Sequence, residues 1–337
     1  MAEYLPIAYF FIMGFALLVY VILDGYDLGI GILLPWAEEE EKDQMIASIG
    51  PFWDANETWI VLGVGVLLIA FPYAHGQILS SLYIPVTVML IGLILRGVAF
   101  DFRVKAGSQY KSAWNLSFFI GSLLASLAQG WMLGSYITGL ELTTTSVLFS
   151  IFIAITLPSL YVMLGCSWLL IKSEGALYQK AIVWARRTLL PMAMCLLLVS
   201  IATPIVSPSI AEKWFTVQNF IGLMPIPLSC TVALCILGAM LRHPNWLAQG
   251  REWYVLASLI VTCLMAAIGL AYSLYPFVII DEMTLWEAAA ATESLQFVSF
   301  GVALSLPAII AYTAFTYYVF RGKSSELHYG SVKTPLD

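Results

Sequence analysis

Apolar residues fall in long blocks along this chain, and the polar positions between the blocks are few. Each block runs for about 20 residues, the length a helix needs to cross ~30 Å of hydrocarbon. The pattern predicts nine transmembrane helices, over residues 5–34, 57–71, 78–102, 115–137, 147–171, 181–206, 220–241, 254–275 and 295–320. Helix one ends at Pro35-Trp36, and Pro191, Pro204, Pro225, Pro227 and Pro307 are expected to break later helices. The connections are short and leave no room for a soluble domain, so residues 1–337 read as a single transmembrane domain. A chain in lipid must satisfy its backbone hydrogen bonds internally, which leaves helices or a closed barrel. The short alternating strands of a barrel are missing. The expected fold is an all-α polytopic membrane protein, two four-helix bundles plus one peripheral helix.

Basic residues set the orientation. Arg103, Lys105 and Lys111 follow helix three; Lys172 and Lys180 lie between helices five and six; Arg242 and Arg251 lie between seven and eight; Arg321, Lys323 and Lys333 follow helix nine. The opposite connections carry only Lys213. The basic face is expected to be cytoplasmic, with the C-terminus inside and the N-terminus in the periplasm. The run Glu38-Glu39-Glu40-Glu41-Lys42-Asp43 falls on the same face. It reads as a solvated loop, with a proton-collecting surface as the alternative. Arg186-Arg187 are placed to snorkel toward lipid headgroups, and Trp131, Trp168, Trp214 and Trp253 suit an aromatic belt.

Composition agrees with the pattern. Of 337 residues 61% are hydrophobic and 11% charged, with a mean hydropathy of +0.88. The formal net charge of -6 argues against a nucleic-acid partner. The first apolar run is too long for a cleavable signal and lacks a basic region before it, so it is expected to be retained. The five cysteines (Cys166, Cys195, Cys230, Cys235, Cys263) sit in apolar runs without a C-x-x-C pair and read as small buried hydrophobes. His75 falls in an outer loop, His243 at an inner helix end and His328 in the tail. A bis-histidine haem held by this chain alone is therefore not expected, and metal-ligand spacing is missing.

Acids at membrane depth are costly, and they mark function by default. Asp24 and Asp27 interrupt helix one at i, i+3, on one face. Asp27 lies nine residues before Trp36, or ~13 Å along the axis at 1.5 Å per residue. Asp54 and Glu57 open helix two with the same spacing, and helix three returns to that end carrying Arg96 and Asp101. The predicted topology brings acids from three helices and an arginine together in the inner third of the membrane. Burial disfavours ionised carboxyls and a neighbouring arginine favours them, so such a cluster can exchange protons near neutral pH. The alternative is that these groups only lock helices together. Structural pairing is the favoured reading for Arg96 and Asp101. Gly25-x-x-x-Gly29 and Gly31 suit close approach of a neighbouring helix.

Three of these segments carry a resemblance. Asp24-Gly25-Tyr26-Asp27-Leu28-Gly29-Ile30-Gly31, Trp53-Asp54-Ala55-Asn56-Glu57-Thr58-Trp59 and Arg96-Gly97-Val98-Ala99-Phe100-Asp101-Phe102-Arg103 resemble, in order, three signatures of subunit II of cytochrome bd-type quinol oxidases. Tyr275-Pro276-Phe277, Leu285-Trp286-Glu287-Ala288 and Ala311-Tyr312-Thr313 are similar to the family's closing segments. Glu57 stands where many members have Gln. That departure and the short chain resemble the cyanide-insensitive branch.

The resemblance implies a complex in the bacterial cytoplasmic membrane. A larger subunit I would carry the haems, two of b type and one of d type, or b in its place. It would oxidise quinol and reduce dioxygen to water. This chain would ligate no haem and would supply cytoplasmic protons. The resemblance makes Asp54 the first choice for proton uptake, with Asp27 nearer the haems and Asp24, Asn56 and Glu57 in support. Trp53, Arg96, Asp101 and Arg103 belong to the same signatures, and Trp59 is a candidate to line an oxygen route. A small single-helix accessory subunit, membrane lipids and a bound quinone or lipid are compatible with this picture. The rival readings are a proton-coupled secondary transporter, for which no matching pair of broken helices is found, and a scaffold without a relay.

Overall fold

The computed structural model describes residues 2–324; His328 and Lys333 lie outside the described residues. In chain order the helices are α1 (Leu5–Leu33), α2 (Glu39–Ile49), α3 (Trp53–Ala70), α4 (Pro72–Ser81), α5 (Tyr83–Lys105), α6 (Ser108–Ile137), α7 (Thr144–Lys172) and α8 (Gly175–Val206). There follow α9 (Pro208–Phe215), α10 (Val217–Leu223), α11 (Pro225–Arg242), the single turn α12 (Pro244–Trp246) and α13 (Trp253–Leu274). A two-stranded antiparallel hairpin, β1 (Phe277–Ile279) and β2 (Met283–Thr284), leads through α14 (Leu285–Ala288) to α15 (Thr292–Val319). Among the described residues nine helices are long and apolar enough to cross a membrane, and they correspond to the nine predicted runs.

The first four spanning helices associate through α1 against α3 and α6, and α5 against α6. The next four associate through α7 against α8, α8 against α11, and α11 against α13. The two sets join where α7 lies along α1 and α6, while α15 touches α1 only sparsely. This is the expected four-plus-four-plus-one arrangement. Glycine sets the α1–α7 distance. A Cβ on Gly29 would sit 1.8 Å from the Tyr161 carbonyl oxygen, and one on Gly165 would sit 2.8 Å from the Gly29 carbonyl carbon. The two backbones touch, as the small-residue spacing on helix one predicts.

Several expectations are corrected. The acidic run is not a loop. Glu38 caps α2 in a reciprocal box with Glu41, and Glu39, Glu40 and Glu41 occupy the first turn, where the helix dipole favours negative charge. Helix two begins at Trp53 rather than Glu57, so the whole Trp53–Glu57 segment lies on its first turns. Residues 72–81 form the separate helix α4. Pro191 and Pro204 lie inside the unbroken α8, and Pro307 inside α15. Of the five prolines expected to break helices, only Pro225 starts one after a break, where its missing N–H costs nothing, and Pro227 lies in the first turn of that same helix. Trp168 is not in a belt. It is 4% exposed, stacks on Tyr26 at 4.3 Å, and donates its indole N–H to the Ser48 carbonyl of α2 at 3.1 Å.

The basic residues near that end close it. Arg103 pairs with Asp43 at 2.7 Å and Lys180 with Glu41 at 2.7 Å, tying α2 to α5 and α8. Lys172, Arg186 and Arg103 each serve a backbone carbonyl or side-chain oxygen at a helix end: Phe320 and Gly322, Leu241, and Asn115. At the opposite end Lys213 donates to the carbonyls of Ser273 and Tyr275 after α13. Partial burial there lowers its pKa, opposed by the charge of Asp281.

Candidate functional site

The end capped by α2 holds a buried polar cluster between α1, α3 and α5. Asp24 and Asp27 follow one another by three residues on α1, and both are fully buried. Arg96, about two and a half turns from the end of α5, is 1% exposed and reaches back between α1 and α3. Its guanidinium donates to Asp24 Oδ1 at 2.6 Å and to Glu57 Oε2 at 2.8 Å. The planar fork of arginine suits two carboxylates at once, and each bond is charge-assisted. Asn56, fully buried on α3, donates its amide to Asp27 Oδ2 at 2.8 Å. The other Asp27 oxygen is buried with no hydrogen-bond donor among the described residues.

The cluster reaches the surface through Glu57. Its side chain is 27% exposed and lines an open cleft of about 340 Å³ between α3 and α5, with Trp53, Asp54, Thr58, Leu90 and Gly97. Asp54 is exposed on this cleft and Asp101 is exposed on α5. Neither joins the buried cluster. Arg96 pairs with Asp24 and Glu57, not with Asp101. The i+5 step from Arg96 to Asp101 turns the two to different faces of α5. Arg103 is buried but serves Asp43 and Asn115 at the α2 end. Trp53 packs on Phe100 at 4.9 Å. Trp59 is 2% exposed and meets the Phe15 ring edge to face at 6.0 Å.

Two groups of side chains extend the cluster, and in them Tyr20, Gln129, Tyr161 and Tyr317 are ones the sequence did not single out. Tyr20, one turn before Asp24, faces it and takes a hydrogen bond from Gln129 of α6 at 2.7 Å. Gln129 in turn accepts from Tyr161 of α7 at 2.5 Å. On the other side Tyr26, Asn56 and Tyr317 of α15 bond one another, with Tyr26 and Tyr317 hydroxyls 2.5 Å apart. Gln129 could have been found as a lone amide in an apolar helix. The tyrosines gave no such signal, because tyrosine in a membrane helix usually serves packing or the interface.

Outside the membrane-spanning helices, Glu41 holds its proton less firmly than an ordinary carboxyl. Partial burial raises its pKa, but hydrogen bonds from Lys180 and the Glu38 backbone outweigh it and lower the value. His75 lies on α4 and exposed His243 stacks on Trp246 after α11. Neither is near the cluster. Among the described residues no group of three or more His, Cys, Asp or Glu side chains is arranged to hold a metal ion.

Comparisons with known proteins bear on this arrangement. A family model described as cytochrome bd terminal oxidase subunit II matches residues 5–320. The chain is 25% identical to the cytochrome bd ubiquinol oxidase subunit 2 of Bacillus subtilis, over 94% of this chain and 96% of that one. It is 23% identical to the cytochrome bd-I ubiquinol oxidase subunit 2 of Escherichia coli K12, over 95% of each. Its fold is similar to a chain in the structure of bd oxidase from Geobacillus thermodenitrificans, with a TM-score of 0.74 and 16% identity over 95% of this chain and 99% of that one.

Proposed function

The chain belongs to the cytochrome bd terminal oxidase subunit II family, whose members are quinol oxidase subunits, and from that premise we propose that it supplies protons to a haem-bearing partner subunit. The complex would sit in the bacterial cytoplasmic membrane with the α2 end facing the cytoplasm. The partner, subunit I, would hold the haems, oxidise quinol and reduce dioxygen to water. A proton would be taken up at Asp54 and Glu57 on the α3–α5 cleft and passed inward to Asp24 and Asp27.

One observation carries this reading: a surface carboxylate and a fully buried one are held on the same guanidinium. Glu57 is 27% exposed and Asp24 0% exposed, and Arg96 binds both. Arginine keeps its own proton in proteins, so Arg96 is not a carrier. It orients the two carboxyls and offsets the cost of burying them. One cation among Glu57, Asp24 and Asp27 leaves the cluster short of positive charge. Protons bound to carboxyls would make up the difference, since an uncompensated buried charge is expensive. Asp27, with one oxygen bound to Asn56 and the other without a donor among the described residues, can hold such a proton and release it toward the partner.

The experiment is to purify the tagged chain from native membranes and record its haem spectrum and quinol-driven oxygen uptake. Co-purification with a haem-bearing subunit and active uptake are expected. The Asp54→Asn variant should keep its haem content and lose turnover if protons enter at the cleft. A scaffold without a relay would lose assembly instead, or nothing. A haem-free chain that purifies alone would sink the oxidase-subunit role.

A further inference from the structure

Asp27 is reached by a residue from the far end of the chain. Tyr317 lies in the last turn of α15, 261 residues from Asn56. Its hydroxyl donates to Asn56 Oδ1 at 3.1 Å. The Asn56 amide nitrogen donates to the Tyr26 hydroxyl at 2.7 Å and to Asp27 Oδ2 at 2.8 Å, with a longer 3.4 Å contact to the Leu23 carbonyl. The Tyr26 and Tyr317 oxygens are 2.5 Å apart. Because Tyr317 spends its proton on Asn56 and Tyr26 accepts from Asn56, the remaining bond must run from Tyr26 to Tyr317. The three groups form a closed ring in which each donates once and accepts once. A carboxamide has a donor end and an acceptor end, and only a consistent ring fixes which end points where. Here the acceptor end is taken by Tyr317, so the second N–H is left for Asp27.

The supply of Tyr317 is itself built. α15 touches α1 only sparsely, yet its C-terminal turn is anchored. Phe52 packs on Tyr317 at 4.7 Å, and the Lys172 ammonium, lying over the Phe52 and Trp168 rings, donates to the Phe320 and Gly322 carbonyls. From this geometry we propose that Tyr317 is a positioning residue for Asp27, acting through Asn56: it holds the carboxamide so that its N–H, and not its oxygen, faces the Asp27 carboxylate. Without the Tyr317 hydroxyl the amide is free to turn about its terminal bond and set its oxygen against Asp27. The same carboxylate is also surrounded by Asp24 on α1, Glu57 on α3 and Arg96 on α5, none of which constrains the amide.

The proposal rests on the relay reading, and the test separates the two. In the assembled oxidase, Tyr317→Phe removes the hydroxyl and keeps the ring against Phe52 and Trp168, so haem content should be unchanged. Turnover should fall about three- to tenfold, the worth of one hydrogen bond, with KM for quinol unchanged. In the infrared difference spectrum, the carboxyl band that Asp27→Asn removes should move to a new frequency. If Tyr317→Phe fails to assemble, Tyr26→Phe opens the same ring from α1 and carries the same expectations. Wild-type kcat with an unmoved band, while Asp27→Asn still stops turnover, would overturn this proposal alone. Full turnover in Asp27→Asn would overturn the relay and the proposal with it.

Discussion

Arg96 is the residue on which the buried cluster depends. It faces Asp24 and Glu57 within 2.8 Å and is 1% exposed, so removing it strands a buried carboxylate. Arg96→Leu should cost about 3–5 kcal/mol, the usual loss when one partner of a buried pair is deleted, and should be read as loss of assembled, haem-containing oxidase. Arg96→Lys should assemble better but turn over poorly, because one ammonium cannot reproduce the two-armed fork. Asp101→Asn, on an exposed residue outside the cluster, should leave stability within about 0.5 kcal/mol and turnover near wild type. At this scale the sequence was legible where charge interrupts an apolar run: Asp24, Asp27, Glu57 and Arg96 do meet. It was illegible where the same charge could turn either way, as with Asp101. It was also illegible where the polar group is a hydroxyl on a large ring, as with Tyr20, Tyr161 and Tyr317.

The spanning helices were readable because lipid leaves the backbone no choice, whereas the short elements depend on details that hydropathy ignores. α2 was hidden by four consecutive glutamates, which read as solvent-facing loop. Its helix follows from the cap at Glu38 and the dipole, and its attachment follows from Lys180 and Arg103. Glu41 titrates below its ordinary value of 4.5. Its contribution to holding α2 is therefore complete above that value and is lost as pH falls through the lowered one. Lys180→Met should weaken this acid sensitivity of α2, leaving the part that the Glu38 backbone bond supplies, which hydrogen exchange over residues 39–49 would read. The α1–α7 crossing makes a sharper prediction. Gly29→Ala places a methyl 1.8 Å from the Tyr161 carbonyl oxygen, so overpacking should cost at least about 1–3 kcal/mol and deplete assembled complex. Gly65→Ala, with nothing within 4 Å of the added methyl, should be tolerated, and comparing haem yield of the two variants checks both.

Across the whole molecule, the fold places one polar cluster at the end where the basic residues gather and leaves most of the other side chains at membrane depth apolar. Composition and block length were enough to read nine spans and their order. How α1, α3 and α5 converge was read from topology, while the share taken by α6, α7 and α15 was not, since nothing in linear spacing links Asn56 to a tyrosine 261 residues away. Family membership implies a partner subunit in an oxidase complex, and under the proposed function the cluster, with its burial, its acids and its surface opening, would deliver that complex's protons. The most direct test is quinol-driven oxygen uptake per haem in Asp27→Asn. Turnover at least ~100-fold below wild type, with an unaltered haem spectrum, is the expected result; wild-type turnover at full haem content would contradict proton delivery through this cluster.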